Sequence, residues 1–288
     1  MGRPLRLFEP QGIYFITGRC LQARLLMRPC RETNDIIGGV LAKALENFDI
    51  KLFSFVFMSN HFHMLVQSPN GHIPAFMQYV RGNIAKQVGK NVGWRGKFWD
   101  RRYDAEPVLD DDALLRRLRY ILSHGVKEGL VSKSNEWPGL HCVRELTHGI
   151  VRTFAWQGDT KTNKRLRPVF VSPIPCWDGL SQQQHKEMYR NLVSSINAER
   201  SKPILGIRSI LRQPPHNFPE KSSRSPRPLC HTTSNTLRAE YEERYRAFAA
   251  AYRIASAAYR QGDTTVEFPL YSYRPPPWVA MVKRKEAA

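Results

Sequence analysis

The chain predicts an α+β fold, an antiparallel sheet with helices packed on one of its faces. Three observations predict it. Aromatic and β-branched runs alternate with helical periodicities in the order β-α-β-β-α-β-α through the first half of the chain. Residues 51–67 hold two such runs joined by a polar turn, which reads as an antiparallel hairpin. With 42% hydrophobic side chains in 288 residues, the chain can bury one sizeable core or two modest ones.

The elements follow in order. Residues 14–18 read as a strand, and residues 33–48, after Pro29, have the spacing of a helix. Residues 51–58 then alternate, with Phe53, Phe55 and Phe57 on one side, and Ser59-Asn60 turns the chain into residues 61–67. From 73 to 88 the apolar positions Ile73, Phe76, Met77, Val80, Ile84 and Val88 recur at helical spacing. Residues 98–108 form a basic, aromatic strand candidate. Asp110 to Asp112 cap a strong helix running to His124, with Gly125 as its expected end. This order is ferredoxin-like. Beyond Leu146 the texture turns irregular and rich in Pro and Arg, so a boundary near Gly149 divides residues 1–148 from a basic extension, 149–288. The extension contains two expected helices, at 181–200 and 236–261, and its role is left open. The Tyr241, Tyr245, Phe248 and Tyr252 stripe on the second reads as helix packing.

Lys+Arg 44 less Asp+Glu 25 gives +19, a bias that argues for a polyanionic partner, nucleic acid first. No apolar run approaches the roughly 20 residues of a membrane span, and the first residues lack a secretory h-region, so a cytoplasmic, nucleoid-associated protein is expected. The five cysteines, Cys20, Cys30, Cys142, Cys176 and Cys230, never stand in Cys-x-x-Cys spacing, which suggests reduced thiols and neither a disulfide framework nor a zinc finger.

The chemistry gathers in two places. In His61-Phe62-His63, a strand sends both imidazoles to one face while Phe62 enters the core behind them. The pair suits a metal ion, although alone a His-x-His on a strand is more often two hydrogen-bonded histidines. On the helix from Asp111, one arc carries Leu114, Leu115, Leu118, Ile121 and Leu122, and the opposite face carries Tyr120 with Arg116, Arg117 and His124. That face alone is also compatible with a solvated basic surface.

Four stretches together resemble the single-tyrosine HUH transposases, and among them the REP-associated tyrosine transposases. They are Met58-Ser59-Asn60-His61-Phe62-His63-Met64-Leu65-Val66, Gly96-Lys97-Phe98-Trp99-Asp100-Arg101-Arg102-Tyr103, Leu118-Arg119-Tyr120-Ile121, and Gly125-Val126-Lys127-Glu128-Gly129-Leu130-Val131 followed by Trp137-Pro138. The resemblance covers residues 8–142 and implies the HUH endonuclease fold there. It implies His61 and His63 as ligands of a divalent metal, Mg²⁺ or Mn²⁺, and Tyr120 as nucleophile, with His124 in the place of a third ligand. His124-Gly125 departs from the Asn-Pro common in the family, a change that leaves the site plausible because imidazole ligates at least as well as an amide.

The activity implied is transposition: cleavage and rejoining of single-stranded or hairpin DNA through a 5′-phosphotyrosine, by a monomer or homodimer. Candidate DNA-binding residues are Arg81, Lys86, Lys97, Arg101, Arg102, Tyr103, Arg116 and Arg117. Lys90, Arg95, Trp94, Phe98 and Trp99 extend the same basic and aromatic mixture, although Phe98 and Trp99 also fit an ordinary core. Tyr79 and Tyr103 are alternative nucleophiles that lack a ligand-type residue four positions on. Two other readings remain: an HUH nickase of replication or plasmid transfer, and a non-catalytic ferredoxin-like nucleic-acid-binding module. The latter lacks an RNP-like Gly-Phe-Gly-Phe pattern.

Overall fold

A computed structural model describes residues 5–159, 164–199, 203–218 and 228–276. Its first half is a four-stranded sheet with helices, an α+β fold in the expected order. The strands are β1 (Ile13–Arg19), β2 (Lys51–Phe57), β3 (His61–Gln67) and β4 (Asp104–Val108). The helices are α1 (Arg31–Asn47), α2 (Ile73–Asn91) and α3 (Asp111–Lys127). The sheet order is β2-β3-β1-β4 and all its pairs are antiparallel.

Register divides the sheet into two chemically different faces. Opposite one another lie Thr17 and His63, Arg19 and His61, and Phe15 and Glu106, so these side chains share one face. The alternate residues Ile16, Phe62, Met64 and Val66 are fully buried on the other, in one core with Ile36, Val40 and Leu41 of α1 and Phe76, Val80 and Ile84 of α2. Phe62 anchors the histidine strand: a Cβ at Gly18 would stand 2.3 Å from its ring, so only glycine lets β1 lie beside it. The third helix, α3, crosses the polar face over β2 and β3.

Two of the differences from the expected boundaries have a clear physical reason. Residues 98–103 are not strand; Phe98, Trp99 and Tyr103 are buried in a loop, tied by Leu21 N–H to the Phe98 carbonyl and Asp100 N–H to the Arg19 carbonyl. Three large rings that all seek the core cannot alternate in and out as a half-exposed strand requires. Helix α3 does not end at Gly125 but runs to Lys127, and Gly129, at φ +69°, takes the left-handed turn after it. Gly125 serves close packing instead, since a Cβ there would meet Val131 at 3.0 Å.

The second half lies along the first. A hairpin of β5 (Arg152–Ala155) and β6 (Leu166–Val169) packs on α1. Helix α4 (Val143–His148) leads to it, and α5 (Gln182–Ala198) lies against α3 and α4. A short α6 (Ile207–Arg212) follows. Of the irregular basic stretch 202–227, residues 202 and 219–227 lie outside the described residues. Before α7 (Asn235–Arg260), His231 pairs in parallel with the edge of β4, its N–H donating to Pro107 O and its carbonyl accepting from Leu109 N–H. The Tyr241, Tyr245, Phe248 and Tyr252 rings of α7 follow one another at 6.3–6.4 Å, and Tyr241 is buried. The five cysteines are free thiols. Among the described residues no helix is long and apolar enough to cross a membrane.

Candidate functional site

Strand β3 fixes two imidazoles two residues apart, and α3 brings a third over them. The ring centroids of His61 and His63 are 5.0 Å apart, and each lies 4.8 Å from His124. One nitrogen from each histidine lies within 4.8 Å of the others, so the three can converge on one ion. Tyr120, one turn before His124, stands 5.0 Å from the His124 ring and 5.2 Å from His63. Phe15 underlies the group, stacked on His63 at 5.1 Å and edge-on to Tyr120. Asp110 holds the helix in place by accepting from Ala113 N–H at 2.7 Å, an N-cap.

The surroundings keep all three histidines neutral. Burial first, and then His124 and Arg19, hold His61 well below its ordinary pKa; burial with His61, His124, Arg19 and Arg117 does the same to His63. Burial, Lys127 and Arg19 bring His124 down to about 4. A neutral imidazole is the form that ligates a metal. His63 Nε2 and His124 Nδ1 are buried nitrogens without a hydrogen-bond partner, and the second nitrogens of His61 and His63 rest on Asn60 and Thr17. Two orphaned buried nitrogens, with the His61 Nε2 beside them and braced from behind, form a donor set that fits a divalent cation.

Around Tyr120 the field is positive. The Arg117 guanidinium lies 5.3 Å and the Lys127 ammonium 4.7 Å from its ring centre. Burial raises the phenol pKa, the Glu128 carboxylate adds to it, and Arg117 pulls against both. Sequence reasoning does not single out Lys127, because seven residues separate it from Tyr120; two helical turns bring it back to the same side. Nor does it find His231. That residue reaches the polar face from the extension, pairing with Glu106 at 2.8 Å and lying edge-on to Phe15 at 5.4 Å.

The basic residues are distributed unevenly. Lys86, Lys97, Arg101 and Arg102 are exposed on the end of α2 and the loop after it. Arg81 is half-buried beneath that loop, donating to the Arg101 carbonyl at 2.5 Å with its guanidinium 5.0 Å from the Trp99 ring. Tyr103 is buried, its ring covered by Arg6 at 3.6 Å. Arg116 instead lines a groove between α3 and α5 with Arg119 and Trp177. Tyr79 packs against Phe48 and Trp156, on the helix-covered side of the sheet, and no imidazole of the triad touches it.

Residues 29–124 match the family model described as transposase, IS200-like, a span that contains both β3 histidines, Tyr120 and His124. The matched span is 96 of the 288 residues, so the likeness to the transposase family is a likeness of that segment. Among solved structures it is similar to a REP-associated tyrosine transposase bound to a REP hairpin, at 16% identity and TM-score 0.45, over 60% of this chain and 100% of that one. It is also similar to a candidate transposase from Deinococcus radiodurans R1, at 17% identity and TM-score 0.31, over 42% and 95%. No curated protein matches the chain in sequence.

Proposed function

We propose that the protein is a REP-associated type of tyrosine transposase, which cleaves and rejoins single-stranded or hairpin DNA through a 5′-phosphotyrosine. The observation that carries this reading is the triad of neutral imidazoles with a phenol 5.0 Å from one and 5.2 Å from another, inside the segment that matches the transposase family.

Each group has a role in this reading. Tyr120 is the nucleophile: its Oη forms a bond to the scissile phosphorus as the bond from phosphorus to O3′ breaks, and the departing strand leaves as a 3′-hydroxyl. Arg117 and Lys127 stabilise the phenolate that attacks and, in the reverse step, the phenolate that leaves. The phosphodiester is conserved in the tyrosyl linkage, so another 3′-hydroxyl can displace Tyr120 and join new ends without a nucleotide cofactor. His61, His63 and His124 would hold a divalent cation, Mg²⁺ or Mn²⁺, which when bound supplies Lewis-acid polarisation of a phosphate oxygen. Three nitrogen donors favour Mn²⁺ over Mg²⁺ in occupancy. Arg81, Lys86, Lys97, Arg101 and Arg102, with Arg116 and Arg117, are the proposed DNA contacts, and Tyr103, buried under Arg6, is not among them. Residues 1–148 form the catalytic unit and 149–288 the extension.

Incubation of the protein with a single-stranded hairpin and Mn²⁺ tests the reading. A protein–DNA adduct that survives denaturing electrophoresis is expected from the natural chain, and none from Tyr120→Phe, which should bind the hairpin about as well because only the attacking oxygen is gone. An adduct retained in Tyr120→Phe would move the nucleophile elsewhere; a chain that binds and never forms one would favour the non-catalytic binding module.

A further inference from the structure

We propose that Asn60 is a positioning residue that fixes the proton of His61 on Nδ1, and so keeps Nε2 as a bare lone pair turned toward His124. The inference rests on the reading of the triad as a cation site and adds a determinant outside the three ligands.

The hydrogen bonds leave one solution. Asn60 Nδ2 lies 3.1 Å from the Ala23 carbonyl, which can only accept, so the amide group facing Ala23 is the NH₂. The opposite assignment would press two acceptors together, which settles the ambiguity that otherwise attends an amide. Oδ1 therefore faces His61 Nδ1, at 2.6 Å. That oxygen also only accepts, hence Nδ1 carries the proton, and in a neutral ring Nε2 is then unprotonated. His124 Nε2 lies 2.7 Å from His61 Nε2, so in the metal-free chain His124 donates there and its own buried Nδ1 is left bare, in keeping with that atom's lack of any partner.

The brace behind Asn60 is built with some strain. Gln22 and Ala23 stand at φ +55° and +56°, a left-handed region that residues with a Cβ disfavour. The turn is held in this conformation by its neighbours. Cys20 N–H donates to the Asn60 carbonyl and Met27 N–H to the Ser59 carbonyl, both at 2.8 Å, and Leu21 N–H donates to Phe98 O. The strained turn thus presents the Ala23 carbonyl to Asn60, and Asn60 presents its oxygen to His61. Thr17 Oγ1, 2.9 Å from His63 Nδ1, cannot perform the same selection, because a hydroxyl both donates and accepts.

Long-range ¹H–¹⁵N spectra of the metal-free, ¹⁵N-labelled chain read the tautomer directly, and calorimetric titration with Mn²⁺ reads its consequence. In the natural chain His61 should show a protonated Nδ1 and an unprotonated Nε2. Asn60→Ala should mix the tautomers and weaken Mn²⁺ binding about 10- to 100-fold, the usual effect of losing a group that orients a ligand. Asn60→Asp still accepts from Nδ1–H but cannot donate to Ala23, so it should keep the tautomer and recover most of the affinity while unfolding at a lower temperature. An unprotonated His61 Nδ1 in the natural chain overturns the proposal. So does an Asn60→Asp variant as weak as Asn60→Ala, or an Asn60→Ala variant with unaltered affinity. If the natural chain shows the assigned tautomer and binds no Mn²⁺, the cation reading fails and the assignment of Asn60 stands.

Discussion

In the proposed reading, the helix position of His124 ties the cation site to the nucleophile. That residue lies one turn beyond Tyr120 on the same face of α3, so the helix cannot bring the phenol to a phosphate without also bringing this imidazole to His61 and His63. Its burial and its cationic neighbours hold it neutral, ready to give a lone pair. His124→Ala should therefore weaken Mn²⁺ binding about tenfold or more, at least the loss expected when a supporting group is removed. His124→Asn should keep adduct formation and shift preference toward Mg²⁺, because an amide oxygen is a harder donor than an imidazole nitrogen. Calorimetric titration of both ions into both variants is the measurement; an unchanged Mn²⁺ affinity in His124→Ala would put the third ligand elsewhere.

At the scale of elements, the N-terminus of α3 joins the two halves of the chain. Asp110 caps the helix through Ala113 N–H and at the same time accepts from Thr232 Oγ1 at 2.5 Å and Thr233 N–H at 2.7 Å, residues of the segment paired with β4. Asp110→Ala removes a cap worth about 1 kcal/mol and unseats the hydrogen bonds from the extension, so a destabilisation of about 2 kcal/mol is expected in urea unfolding. Asp110→Asn, which can still cap, should lose less. A loss below about 0.5 kcal/mol in Asp110→Ala would mean that neither the cap nor the attachment matters to stability. This arrangement also marks the limit of what the sequence makes legible. Local periodicity finds β1 through α3, since hairpin alternation and helical spacing are short-range signals. The site half follows, because His-x-His on a strand and Tyr120 with His124 on a helix are local geometries. His231 on Glu106 joins residues more than a hundred positions apart, and no local pattern announces a single parallel pairing at a sheet edge. Residues 98–103 mislead for a related reason: Phe98, Trp99 and Tyr103 resemble a strand in composition, while their burial in a loop depends on α2 and β1 arriving around them.

For the whole molecule, the +19 charge and the topology of the polar face act together. Exposed Lys86, Lys97, Arg101 and Arg102 gather on α2 and the following loop, and that loop is hydrogen-bonded to the end of β1, where Arg19 faces His61. A basic path thus leads along the surface to the imidazoles and Tyr120, and a strand bound on it would displace condensed counterions. Hairpin affinity should accordingly fall about 10³-fold or more between 50 and 200 mM salt if some six to ten phosphates are contacted. The triple variant Lys86→Gln, Lys97→Gln, Arg101→Gln should reduce the log–log salt slope by about 2, three contacts at roughly 0.7 each for a single strand. Arg165→Gln makes the control, because Arg165 pairs with Glu46 on the helical side of the sheet and its loss should leave the slope unaltered. Fluorescence anisotropy of a labelled hairpin across a salt series measures all three proteins. A triple variant with the slope of the natural chain would remove α2 and its loop from the DNA path, and the search for it would pass to the extension.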